Sequence, residues 1–350
     1  MIVEQNVVLA QHTSLGVGGL AENYILANDA ESLLRALKTA SEYSHLWLLG
    51  YGSNCLISDQ GLPGLVIHTK GGDVIRNNDL LIVDAGVDWD ELVQKSVDEG
   101  LWGIELMSGI PGSVGAGVRI NIRAYGQSLS DHLEWAKAYD LEKQEVVMHR
   151  SADLDWGYKK SFFQTDAGKD QIIIQAAFKL KREPTIMLSY QPAIDYAAEH
   201  NIPDDTLPGR RRLILDVRSE AGSLLTGDPV EAKTAGSFFR NPIVTPEQAE
   251  RVIRFDETGR TADQVKKMNQ SHGGDSMRVS AAHVMLAAGY NRGDTWGRVR
   301  LHPDHVLKIE NANNATAQEI YDVANEIVQT CEQKLGITLE PEVEIMGEFR

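Results

Sequence analysis

Two glycine-rich segments carry the residue types best suited to holding a phosphorylated ligand. Gly50-Tyr51-Gly52-Ser53-Asn54 follows a short apolar run. Glycine admits positive φ and close backbone approach. Successive backbone N–H groups in such a turn can form a concave nest for a pyrophosphate. The segment lacks the Gly-Lys-Ser/Thr of a Walker loop and the GxGxxG spacing of a dinucleotide fingerprint, so alone it reads as a tight β-turn. A second segment, Ser108-Gly109-Ile110-Pro111-Gly112-Ser113-Val114-Gly115-Ala116-Gly117, packs four glycines into ten residues. Its small side chains leave room for a large planar or phosphorylated group. The two segments together point to a dinucleotide-sized cofactor. The two cysteines, Cys55 and Cys331, show neither metal spacing nor a disulfide framework.

The elements that must position these loops are legible as period and caps. Asp29 caps a helix whose Leu33, Leu34, Leu37 and Ala40 share a face. Asp88 with Glu91 opens another, ending before Gly100. Strand signals fall at 45–49, 65–68, 80–84, 135–141, 145–149 and 171–179. The polar stretch 199–212, with Pro203, Pro208 and the run Arg210-Arg211-Arg212, reads as a connection near a domain boundary. Thr245-Pro246-Glu247-Gln248 combines an N-cap, an N1 proline and a capping glutamine. Thr316 with Glu319 opens a helix whose stripe of Ile320, Val323, Ala324, Ile327, Val328, Cys331 and Leu335 ends at Gly336. That stripe makes Cys331 a core residue.

The chain has 350 residues and a net charge of −16. An acidic surface repels nucleic acid and anionic membranes, so neither partner is expected. No apolar stretch reaches the length needed to span a bilayer. The N-terminal residues show no basic n-region. With so few cysteines, the expected compartment is the cytoplasm. No feature calls for an obligate protein partner.

Several motifs, in order along the chain, resemble the UDP-N-acetylenolpyruvoylglucosamine reductase (MurB) family. His12-Thr13-Ser14-Leu15-Gly16-Val17-Gly18-Gly19 is similar to its N-terminal motif. Gly50 to Leu56 is similar to its first flavin loop, and Gly103-Ile104-Glu105 with Ile110 to Gly115 to its second. Asn121-Ile122 and Ala124-Tyr125-Gly126 match the segment that follows. The resemblance implies an α+β fold. It has a two-part FAD-binding domain of the vanillyl-alcohol-oxidase (PCMH) type and a C-terminal α/β substrate domain. The expected divisions are 1–67, 68–210 and 211–350, with the C-terminal strand returning towards the flavin. Non-covalent FAD would lie on Gly50, Tyr51, Gly52, Ser53, Asn54, Ile110, Pro111, Gly112, Ser113, Gly115, Ala116, Ile122 and Tyr125.

The implied reaction is reduction of an enolpyruvyl UDP-sugar with NADPH as electron donor. Gly236-Ser237-Phe238-Phe239-Arg240-Asn241-Pro242 matches a family motif in which Ser237 is the proton donor and Asn241 contacts substrate. Leu339-Glu340-Pro341-Glu342-Val343 places Glu342 on the family's catalytic glutamate. Gly157-Tyr158-Lys159-Lys160-Ser161 places Lys159 where the family has an arginine that stabilises the enolate. Tyr190 falls on a substrate-binding tyrosine. Outside their motifs, Ser237 would read as a turn serine and Glu342 as a solvent-facing strand residue.

The chain also departs from the family. Lysine is a flexible point charge where arginine offers a planar fork. Val118, Ile120 and Arg123 replace a proline, a glutamine and a glycine near the flavin. Arg218 to Gly222 lacks a phosphate-binding lysine, with Glu220 and Ala221 there instead. Arg298 and Arg300 occupy a stretch that is usually small and neutral. They take over phosphate binding, mark another ligand, or lie solvated on a strand. Two functions therefore stand side by side: the reductase, and a diverged paralogue that binds FAD or a nucleotide sugar without reducing it.

Overall fold

Strand runs rich in Val, Ile and Leu build two sheets in the N-terminal part of the chain. The computed structural model describes residues 1–220, 224, 233–255, 261–266 and 277–350. They fall into two compact units. The first holds Met1–Val7, Ala21–Gly52 and Pro63–Thr226, and the second Val8–Leu20, Ser53–Leu62 and Gly227–Arg350.

In the first unit a four-stranded sheet runs in the order Glu4–Val8, Leu20–Ala27, Leu62–Thr69, Leu46–Leu49. Its last pair is parallel. A five-stranded sheet runs Glu145–Arg150, Leu133–Asp140, Gln171–Lys179, Leu80–Asp84, Val74–Asn77. Its pairs are antiparallel. The helices Ala30–Leu37, Trp89–Asp98 and Val114–Ile120 pack on one core that includes Leu33, Trp89, Val114 and Phe178. Both expected caps form: Asp29 accepts from Ser32 N at 2.6 Å, and Asp88 from Asp90 N and Glu91 N.

The basic run differs from its expectation. Arg210 to Arg212 lie inside a helix, Leu207–Glu220, and not in a connection. Arg210 is buried, pairs with buried Glu105 at 3.0 Å, and lies 5.1 Å from the Trp102 ring. Arg211 grips Asp90. These carboxylates are remote in sequence, and they make a polar run part of a packed helix. The expected division at 210/211 thus falls within a helix that belongs wholly to the first unit. Gln191–His200 is a further helix. Ala221 and Gly222 lie outside the described residues.

The second unit centres on an antiparallel sheet ordered Thr234–Ser237, His305–Asn311, Val299–His302, Thr295–Trp296. Its helices Pro246–Phe255, Ala281–Ala287 and Ala317–Leu335 share one core with it. Thr316 and Glu319 form the expected capping box. Asp59 also accepts from Ala317 N and Gln318 N, at 2.9 Å each. Cys331 is fully buried and Gly336 ends the helix at φ +67°. The last strand, Glu344–Met346, pairs in parallel with Cys55–Ile57. That pairing explains why 53–62 group with the C-terminal residues, where the expected division at 67/68 kept them with the N-terminal ones.

Candidate active site

Gly50 of the first glycine loop adjoins the second loop within the first unit. Trp89 N donates to Gly112 O, Val114 N to Val87 O and Gly115 N to Ala85 O, each at 2.9 Å. The second loop is thus laid along 85–89, just beyond a core strand. A Cβ on Gly115 would stand 2.9 Å from Ala85 Cβ, too close for any other residue without a shift. A Cβ on Gly50 would meet Ser113 Oγ at 3.1 Å. The loops therefore adjoin at Gly50 and Ser113, where only small residues fit. That cradle suits a flavin dinucleotide. Burial, with the Asp88 and Glu91 carboxylates near, pushes the Tyr51 phenol up to about 12, so it remains a proton donor at neutral pH.

Residues beyond the motifs hold the second loop. Gly109 N donates to Asp90 Oδ1 at 2.6 Å, and Arg211 binds both Asp90 oxygens at 2.6 and 2.7 Å. Burial opposes ionisation of Asp90, but Arg211 and the Gly109 amide outweigh it and hold the carboxyl below its usual range. Arg218 approaches from the same helix and hydrogen-bonds the Tyr125 phenol, whose pKa is raised by burial against that guanidinium's pull. Tyr125 packs edge-on against Tyr190, with centroids 5.1 Å apart. The sequence reading missed Asp90, Arg211 and Arg218. No local signal marked them: the run from 207 to 220 reads as a polar connection until Arg210 and Arg211 meet Glu105 and Asp90.

Lys159 occupies the tip of a two-residue hairpin. Gly157 N donates to Lys160 O at 2.9 Å, and Lys159 itself has φ +54°. A positive φ in a long side-chain residue is strained and often marks a functional turn. The hairpin is stitched to the helix after the second loop: Asn121 Nδ2 donates to Gly157 O, and Ser161 Oγ to Arg119 O at 2.6 Å. Of the departures, Val118 is fully buried and Ile120 packs on the same core, so both are absorbed as packing. Ile122 is buried there too. Arg123 pairs with Ser128 in a short hairpin.

In the second unit, the strand ending at Ser237 is followed by Phe238 and Phe239, both buried. Glu342 N donates to Phe238 O at 2.8 Å, and Arg240 N to Glu340 O at 2.9 Å. Asn54 Nδ2 donates to Glu342 O, and Glu344 N to Asn54 O. Asn54, Glu342 and the end of the Ser237 strand are thus joined by hydrogen bonds, although they lie far apart in sequence. Asn241 Oδ1 accepts from Ala281 N at 2.9 Å and so caps that helix. Arg298 is bonded to Glu319, and Arg300 binds both Glu310 oxygens at 2.7 and 3.0 Å. Both arginines are engaged by carboxylates of this chain.

Glycine loops laid against a sheet scaffold suit a flavin-dependent oxidoreductase. Residues 21–147 match a family model described as an FAD binding domain. Residues 228–346 match the C-terminal domain of UDP-N-acetylenolpyruvoylglucosamine reductase. Proteins of that name from Thermobifida fusca and Tropheryma whipplei are 30% and 31% identical to this chain. They cover 98% and 97% of it, and it covers 98% and 99% of them. The crystal structure of the Thermus caldophilus reductase superposes with a TM-score of 0.65 at 25% identity, over 99% of this chain and 100% of that one. The chain belongs to the UDP-N-acetylenolpyruvoylglucosamine reductase family, FAD- and NADPH-dependent enzymes of peptidoglycan precursor synthesis.

Proposed function

We propose that Ser237, Glu342 and Lys159 carry the reduction of the enolpyruvyl UDP-sugar in this chain. When bound, FAD supplies the hydride chemistry that links the nicotinamide to the substrate's methylene carbon. The two loops from Gly50 to Asn54 and from Ile110 to Ala116, with Ile122 and Tyr125, hold it. Ser237 gives its hydroxyl proton to the carbon beside the carboxylate: the O–H bond breaks, a C–H bond forms, and the negative charge moves to Oγ. Lys159 and Glu342 orient and polarise the carboxylate, the ammonium acting as a point charge near the developing enolate. Tyr190 and Asn241 bind the rest of the UDP-sugar. The two free, buried thiols fit a reducing compartment, and we place the reaction in the cytoplasm.

The observation that carries this reading is the 2.8 Å bond from Glu342 N to Phe238 O. It sets the family's glutamate beside the residue that follows its serine. The test is anaerobic stopped-flow. NADPH should bleach the flavin, and the enolpyruvyl UDP-sugar should restore its colour in one turnover. Flavin that bleaches but is never reoxidised by that substrate would favour the diverged paralogue.

A further inference from the structure

An alcohol is a weak acid, so Ser237 needs a neighbour that stabilises its conjugate base. The sheet supplies one directly opposite. Thr234 pairs with Glu310, yet Ser237, not Gly236, pairs with Lys308. The extra residue is a bulge with Gly236 at φ +76°. It shifts the strand by one position and puts the serine across from the lysine. Phe238 N donates to Leu307 O at 2.8 Å, so the adjacent Ser237–Lys308 pair is of the non-hydrogen-bonded type. Cα atoms in such pairs stand about 4.5 Å apart and their side chains share a face.

That face has a defined charge. Arg300 lies opposite Glu310 and holds both its oxygens, so that carboxylate is already engaged by an arginine. Lys308 is buried, with 4% of its surface exposed. Burial, and then the positive charge of Lys308 and Arg292, push the His305 imidazole down to about 4, so it adds no charge at neutral pH. An ammonium in so water-poor a place acts strongly on a charge forming beside it.

We propose that Lys308 is a positioning residue for the acid step, its ammonium stabilising the alkoxide left when Ser237 gives its proton to the substrate carbon. The inference rests on Ser237 being the proton donor. As the proton leaves, the negative charge passes from carbon to Oγ beside the ammonium, and water then reprotonates Oγ.

A thiol placed at the serine reports the field without any substrate. In the Ser237→Cys holoenzyme, alkylation by iodoacetamide is followed against pH by mass spectrometry. Cys55 and Cys331 are buried and their thiols are pushed up to about 12, so they stay silent. The introduced thiol should titrate at least about one pH unit lower than in Ser237→Cys/Lys308→Met. Lys308→Gln serves equally if the methionine variant does not fold. Equal midpoints would overturn the inference. In turnover, Lys308→Met should slow flavin reoxidation by about thirtyfold, but by less than about threefold in a Ser237→Ala background. Equal slowing in both backgrounds would also overturn it, because a structural loss does not depend on Ser237. A wild-type enzyme that never reoxidises with substrate would overturn the proposed reaction and this role together. An unshifted thiol in an active enzyme would overturn this role alone.

Discussion

The second glycine loop and the strand end at Ser237 both hold a short backbone segment still, by different means. Gly109 to Gly115 are fixed by steric room and by ionic groups: Gly115 against Ala85, and Gly109 N on an Asp90 that Arg211 grips. Ser237 is fixed by main-chain bonds, with a ladder on one side and Glu342 N on the Phe238 carbonyl. Packing pins a loop that must accept a large rigid ligand. A strand end instead aims one side chain, and a single bulge sets which residue is aimed. The first kind of site should fail by losing its ligand or stability, and the second by losing rate.

The largest expected effect lies on the strand. Ser237→Ala should leave flavin reduction by NADPH near wild type and slow reoxidation by substrate roughly a hundredfold or more, as for loss of a positioned acid. Rapid-mixing absorbance resolves the two halves, and equal slowing of both would mean that Ser237 only shapes the site. Lys159→Met should slow reoxidation by about a hundredfold, while Lys159→Arg should keep or raise the rate. A methionine variant as fast as wild type would make Lys159 a surface residue.

Smaller effects separate the two kinds of construction. Gly236 has open space around its absent Cβ, so Gly236→Ala meets no neighbour and only the positive φ is strained, by about 1–2 kcal/mol. Reoxidation should slow about tenfold as the bulge relaxes and Ser237 is re-aimed, with FAD retained. Gly115→Ala has the opposite signature: overpacking against Ala85, at a cost of about 1–3 kcal/mol. Weaker FAD retention on gel filtration and a lower melting temperature should appear before any change in the rate of the protein that keeps its flavin. If the two glycine variants behaved alike, the distinction between the regions would collapse.

The smallest effect concerns the Asp90 anchor. Its folded pKa is depressed, so its contribution is full above the ordinary carboxylate range and is lost as pH falls through the folded value. Asp90→Asn should cost about 1–2 kcal/mol at pH 7 and flatten the acid limb of the stability profile. Urea unfolding at pH 7 and below pH 4 would measure both. A variant whose profile runs parallel to wild type would remove Asp90 from the account.

Elements whose signal is local were legible in the sequence. The strand Gln171–Lys179 was set by its Ile, Ala and Phe content and the helix Ala317–Leu335 by its period and caps, and both stand as read. Leu207–Glu220 was not legible as a helix, because Arg210 and Arg211 find Glu105 and Asp90 only after the chain has folded. Ser237 and Glu342 are proposed through their motifs and not through their chemistry. Lys308 was missed because a single charge inside the strand His305–Asn311 gives no sign of what faces it. Register is a property of two strands, and here a bulge decides it.

The central claim is that Ser237 delivers the proton. A crystal structure of the oxidised enzyme with the enolpyruvyl UDP-sugar bound tests it most directly. The account predicts Ser237 Oγ within about 3.5 Å of the carbon beside the carboxylate, with Glu342 on the carboxylate itself. A complex in which another acidic side chain or an ordered water holds that position, with Ser237 turned away from the carbon, would contradict it.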